Sequence, residues 1–385
     1  MNHILLLKDK EGASSDEFFQ IMKRYSEKNE CECTILHAKA TRHSDLHKAD
    51  IVFCIRGDTP YMKYLVYKAK MLGKIIVYFL DDALKDIPDN TFRYPKRKKW
   101  HIECVRLCDV LLTTNPLIAN DYKNYIRNQR TAIIHTAVNE IQPTNICNNK
   151  RIKIVYAASE WHIPNYNRMI SPIINELLNN NKSSIEIYFV GLRPSGIEQD
   201  KVHFIPKMKL EDYQKFMKNS NFDIGLAPLE DSYFSGRKYF NKFIEYTRYG
   251  ICGVYSDVYP YRFVVKNKEN GIMVRNEPQE WLRCIQSVID NEQLRKSCVL
   301  NAQKYLKEHH SDEVIFSKLI SDIPEIGMPS ANKKINIKIA QFKLQITKLF
   351  RFYPFFIKEK IYMLYYSVKK EGLKTALKRM IRKFL

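Results

Sequence analysis

Short apolar runs rich in Val, Ile, Leu and Phe alternate along the chain with longer amphipathic stretches, and this alternation leaves few architectures open. In the first half the candidate strands are His3–Leu7, Thr34–His37, Ile51–Ile55, Lys74–Leu80, Val110–Thr113 and Ala132–His135. In the second half they are Lys153–Ala157, Ile185–Val190, Val202–Ile205, Ile224–Ala227, Gly253–Tyr255 and Gly271–Val274. Helical apolar spacing fills much of the space between, as in Asp16–Ser26, Tyr61–Met71, Ile118–Arg127, Asn167–Leu178 and Leu210–Asn219. Strands alternating with helices predict parallel sheets covered on both faces, the doubly wound α/β class. The polar stretch Ile141–Lys150 separates the two sets, so two such domains are expected over residues 1–145 and 146–325, with a tail over 326–385. A chain of 385 residues can bury a core in each. Ligands of doubly wound domains sit beyond the carboxyl ends of the strands, so two facing domains predict a cleft with a ligand in it.

Composition narrows the class. Hydrophobic residues at 45% and aromatics at 12% exclude a disordered chain. The nine cysteines have no regular spacing, and the close pairs Cys31/Cys33 and Cys104/Cys108 lack a partner cluster of zinc-like spacing. Reduced structural thiols and no bound metal are therefore expected. The opening MNHILLLKDK has too short an apolar run for a signal peptide. No stretch reaches the about 18 apolar residues of a spanning helix. Together these features predict a cytoplasmic protein.

The stretch Pro228–Arg262 carries the clearest chemistry. Lys238, Lys242 and Glu245 are spaced to share one face near a helix N-terminus. Such a terminus attracts phosphate, two lysines neutralise a diphosphate, and a carboxylate one turn on accepts sugar hydroxyls. A solvated helix of mixed charge would show the same spacing.

These residues resemble the donor-binding region of the family 4 retaining glycosyltransferases of the bacterial cell-surface polysaccharide type, which have the GT-B fold. Phe234, Lys238, Lys242, Glu245, Tyr246, Gly250, Ser256, Asp257, Pro260, Tyr261 and Arg262 stand at matching positions. Ser235, Tyr239 and Cys252-Gly253 depart from the pattern, and Arg237 stands where other branches carry a first glutamate. The resemblance implies two Rossmann-like domains facing a cleft, with the acceptor on the first and the nucleotide-sugar on the second. It also implies hexosyl transfer with retention, by front-face attack in which the leaving phosphate helps to remove the acceptor proton. The donor is expected to be UDP- or GDP-linked, with no cofactor.

In that family the match to Glu245 binds the ribose, while Lys238 and Lys242 hold the pyrophosphate as charge builds on it. Arg237 is a further candidate for the phosphates. Ser159 and His162 follow the first strand of the second domain, where related enzymes face the donor phosphates. Arg193, after Gly191, is a candidate to flank the nucleotide. On the acceptor side, Asp81 and Asp82 end the run KIIVYFLDD and can orient acceptor hydroxyls, with Asp82 a candidate catalytic group. Helix capping would use the same aspartates. Arg56 ends the preceding strand and can meet an acceptor phosphate.

The net charge of +21 is concentrated: residues 331–385 carry +13, with 15 Lys/Arg against two Glu, leaving +8 for the rest. Helical spacing puts Leu373, Leu377, Met380, Ile381 and Leu385 on one side, and Lys374, Lys378, Arg379 and Lys383 largely elsewhere. A basic amphipathic helix with aromatics is the pattern of an interfacial anchor, so residues 333–385 are expected to meet an anionic membrane, or to pack on the domains. The expected enzyme is peripheral on the inner face of the plasma membrane and serves a lipid-linked or other glycan acceptor. Two other readings compete: a nucleic-acid-binding protein using the basic tail, and an inactive relative that only binds glycan. The tail carries no nucleic-acid recognition motif, so no nucleic-acid partner is expected.

Overall fold

The structure is a computed structural model that describes residues 2–9, 13–86, 97–143, 151–181, 184–194, 197 and 202–328. The basic tail over 333–385, with its membrane contact, lies outside the described residues, as does Ile87-Pro88.

Twelve strands form two all-parallel sheets. The first contains β1 (His3–Lys8), β2 (Glu32–His37), β3 (Ile51–Ile55), β4 (Ile75–Leu80), β5 (Val110–Thr113) and β6 (Thr131–Ile133), in the order β2-β1-β3-β4-β5-β6. The second contains β7 (Ile152–Ala157), β8 (Ile185–Val190), β9 (Val202–Ile205), β10 (Ile224–Ala227), β11 (Cys252–Ser256) and β12 (Ile272–Val274), in the order β12-β11-β10-β7-β8-β9. Each expected strand is present; central ones such as β3 and β4 are the continuous apolar runs of strands buried on both faces, whereas the edge strands β2 and β9 are only partly buried and mix in polar residues. The two-residue period decides which side each residue serves. Leu5 and Leu7 of β1 pack under the helices Pro60–Met71 and Arg97–Leu107, while Ile4 and Leu6 pack against Phe18, Met22 and Tyr25 on the opposite face.

Both sheets reverse their winding direction at one point, between β1 and β3 in the first and between β7 and β10 in the second. Ligands of doubly wound sheets bind outside the carboxyl ends at such points.

The helix Asp312–Asp322 does not stay with the second sheet. Ile315, Phe316, Leu319, Ile323 and Ile326 pack with Ile4, Leu6 and Phe18 on the first. The stretch 312–325, which the sequence assigns to the second unit, thus completes the apolar face of the first. Arg24 locks its start by a forked pair to Asp312, with the Arg24 Nη2 to Asp312 Oδ1 distance 3.1 Å, and Arg130 grips Glu325 at its end at 2.5 and 2.7 Å. The returning chain meets the outgoing one directly: the Val138 amide donates to the His310 carbonyl at 2.7 Å, and His310 Nδ1 lies 2.8 Å from the Thr136 carbonyl.

Candidate functional site

A cavity of about 300 Å³ opens between the carboxyl ends of the two sheets. Ala157 and Ala158 at the end of β7 and Ala227, Pro228 and Leu229 at the end of β10 form one wall, so the cavity occupies the winding switch of the second sheet. His162, Asn241, Lys238 and Lys242 complete that side, and Glu17, Asp81, Asp82, Thr114, His135 and Thr136 face them from the first domain.

Lys242 stands on the first turn of the helix Asn241–Arg248, seated by Tyr246, whose hydroxyl donates to the Leu226 carbonyl at 2.8 Å. A side chain at Gly225 would come within 2.6 Å of the Tyr246 ring, so the glycine is what lets this helix lie so close to β10. Lys242 Nζ is 2.8 Å from Glu245 Oε1 and donates to the Tyr213 hydroxyl at 3.3 Å.

Lys238 is not on that helix. It follows the tight turn Ser235–Arg237 in extended backbone, φ −69° and ψ 161°. The expected three-residue face therefore reduces to Lys242 and Glu245. The physical reason is a hydrogen bond: the Lys238 carbonyl, which a helix would offer to a later amide, accepts from Asn115 Nδ2 at 2.8 Å. Both lysines nonetheless line the cavity, whereas Glu245 lies behind Lys242 and does not.

His162 ends the turn Glu160–His162 and is pushed down to about 4, first by burial and then by Lys238 and Lys242. It is thus neutral near pH 7. Asn165 Nδ2 lies 3.3 Å from its Nδ1, and an amide donating there leaves the ring proton on Nε2, as a donor. Burial also pushes Lys238 down, against the pull of Asp82 and Glu230.

Ser159 supports this turn through its carbonyl, which accepts from the His162 amide at 2.9 Å, and its side chain does not line the cavity. Arg193 is exposed, 5.4 Å above the Phe204 ring, and also lies outside the cavity lining. Gly191 before it has φ +79°, and a side chain there would come 2.7 Å from the Ala158 carbonyl. Arg237 turns to the first domain, where its Nε is 2.5 Å from Asp121 Oδ2.

In the first domain Arg56 follows β3 in left-handed backbone, φ 48°. Its guanidinium forks between Asp81, at 3.2 Å, and Asp82, at 3.0 Å, so the arginine is held by two carboxylates. Burial and Asp81 push Asp82 up to about 6, against the pull of Arg56 and Lys238.

Several lining groups have no counterpart in the sequence reading. Glu17 receives one hydrogen bond, from Thr136 Oγ1 at 3.4 Å, and is pushed up to about 7 by burial and then by Glu245. Thr114 Oγ1, His135 Nδ1 and the Tyr156 hydroxyl are buried, line the cavity and have no hydrogen-bond partner. Buried polar atoms are usually satisfied, so these three leave hydrogen-bonding capacity facing the cavity. Thr114 and His135 follow β5 and β6, where the strand-end rule could have found them; Glu17 carries no local signal. Among the described residues no group of three or more His, Cys, Asp or Glu is arranged to hold a metal. Nor is any helix of theirs long and apolar enough to cross a membrane.

Two doubly wound domains with these strand orders, facing one another across a cavity, make up the GT-B fold. Among solved structures the chain is similar to HepE from Anabaena in complex with UDP and glucose, with TM-score 0.61 and 13% identity over 84% of this chain and 100% of that one. It is similar to sucrose-phosphate synthase from Thermosynechococcus elongatus, with TM-score 0.61 and 10% identity over 85% and 99% of the two chains. A third neighbour is S. aureus MnaA with UDP, at TM-score 0.54 and 12% identity over 86% and 99%. No family model matches the chain, and no curated protein matches it.

Proposed function

We propose that the chain is a glycosyltransferase that takes a hexosyl group from a UDP- or GDP-sugar. The observation that carries this is the joint placement of Lys238, Lys242 and a neutral, donating His162 at the winding switch of the second sheet. A diphosphate there receives two positive charges and one neutral hydrogen bond, and its developing negative charge on bond cleavage is stabilised. The fold supports the reading, since HepE is described with UDP and glucose and MnaA with UDP.

Retention is the stereochemical course we infer. Among the described residues the carboxylates that line the cavity, Glu17, Asp81 and Asp82, all come from the first domain, and the donor wall supplies none. That arrangement favours front-face attack, with the leaving phosphate taking the acceptor proton. Glu245 holds the ribose after rotating its free oxygen inward, and the first-domain carboxylates orient the acceptor hydroxyl. The basic segment 333–385 brings the enzyme to the anionic inner face of the plasma membrane, where a lipid-linked glycan is the acceptor.

Thermal melting with UDP or GDP tests the donor site, because a saturating ligand raises stability as RT ln(1 + [L]/Kd). One of the two should raise the midpoint, and Lys242→Ala should reduce the rise. No shift with either nucleotide would remove the donor assignment. Product anomers read by NMR decide retention, and salt-sensitive pelleting with anionic vesicles but not oligonucleotides decides the role of the tail.

A further inference from the structure

The stretch that carries Lys238 is held by the opposite domain. Asn115 follows β5 and is 1% exposed. Its Oδ1 caps the helix Pro116–Tyr122 by accepting from the Leu117 amide at 2.8 Å. Its Nδ2 donates both protons across the domain boundary, to the Gly236 carbonyl at 3.0 Å and the Lys238 carbonyl at 2.8 Å. Two turns along the same helix Asp121 takes Arg237 and accepts from the Tyr233 hydroxyl, each at 2.5 Å. The Thr136 amide donates to the Tyr239 hydroxyl at 3.0 Å. These bonds tie the segment 233–239 to the first domain, while Ser235 and Gly236 also bond back to Glu230 and Ser232 of their own domain.

We propose that Asn115 is a positioning residue for the donor. By bonding the carbonyls on either side of Arg237 it fixes the backbone from which Lys238 enters the cavity, and it does so only while the two domains are together. Donor binding and domain closure are then coupled, and by reciprocity a bound nucleotide tightens the closed arrangement as much as closure tightens the nucleotide. The inference rests on the donor-site reading above.

The discriminating variant is Asn115→Ser. Serine caps a helix as well as asparagine, but it has no amide to reach Gly236 and Lys238. A purely structural cap would leave this variant like the wild type. The measurement is calorimetric affinity for UDP, or for GDP if only that stabilises the wild type, across wild type, Lys242→Ala, Asn115→Ser and Asn115→Thr. Losing two cross-domain hydrogen bonds should weaken binding about tenfold in Asn115→Ser while its ligand-free melting stays close to wild type. Small-angle scattering should show a smaller contraction on nucleotide addition than in the wild type. If Lys242→Ala loses affinity and Asn115→Ser keeps it within twofold, the positioning role is wrong and the donor site stands. If the wild type binds neither nucleotide, both fall. Should Asn115→Ser not fold, Asn115→Thr, which also caps a helix and lacks the amide, carries the same test, and unchanged affinity there overturns the proposal.

Discussion

The Tyr213 hydroxyl donates to Glu245 Oε1 at 2.5 Å, and the same oxygen receives Lys242 Nζ at 2.8 Å. One carboxylate oxygen therefore serves both neighbours, and it sets where the lysine ammonium rests beside the cavity. The tyrosine is held in its protonated form by burial and by this carboxylate, which push its hydroxyl pKa well up.

Removing the shared acceptor should cost more than removing one donor to it. We expect Glu245→Ala to weaken nucleotide binding about tenfold and Tyr213→Phe about threefold, from hydrogen bonds to charged groups of order 1.5–3 kcal/mol shared among partners. Calorimetric titration of both variants checks this. A Tyr213→Phe loss equal to that of Glu245→Ala would mean that the tyrosine, not the carboxylate, organises the lysine.

Glu17 predicts a pH dependence of stability. Its carboxyl is raised from 4.5 to about 7 by burial, Glu245 and Asp81, against Arg248 and the Thr136 hydroxyl. A raised carboxyl pKa means the folded state holds its proton more tightly than the unfolded chain. The stabilisation is thus full below about pH 4.5 and is lost as the pH rises towards 7. Glu17→Gln abolishes that loss, so its melting point should exceed the wild type's by about 2–4 °C at pH 8 and by little at pH 5. Melting curves across this window decide it; a difference independent of pH would refute the assignment.

Arg56 neutralises two adjacent carboxylates, one of which, Asp81, is only 4% exposed. Arg56→Ala strands both and should destabilise the protein by about 3 kcal/mol, in the range for breaking a buried ion pair from one side. The double variant with Asp82→Asn should recover part of this. Urea unfolding of the two proteins measures the difference, and additive losses would show that the pairs are uncoupled.

The fold was largely legible because the central strands advertise themselves. Ile51–Ile55 and Ile75–Leu80 are apolar throughout, which only a strand buried on both faces tolerates. The lysines were legible through their spacing, but their geometry was not. Local pattern continues the helix back through Lys238, whereas the first domain captures that backbone through Asn115, 123 residues away in sequence. The same distance hides Glu17, Asp121 and His135, whose surroundings exist only once the two domains meet. Arg237 looked like a phosphate ligand for the same reason: nothing near it in sequence announces Asp121.

The crossing at Thr136–Val138 and the return at His310 have a mechanical corollary. Two covalent passages tied side by side act as paired pins of one hinge. The lobes can swing about that line, but twisting against each other would tear the pins apart. Movement about that line would open or close the cavity, and whatever sets the angle would set how long a ligand is kept.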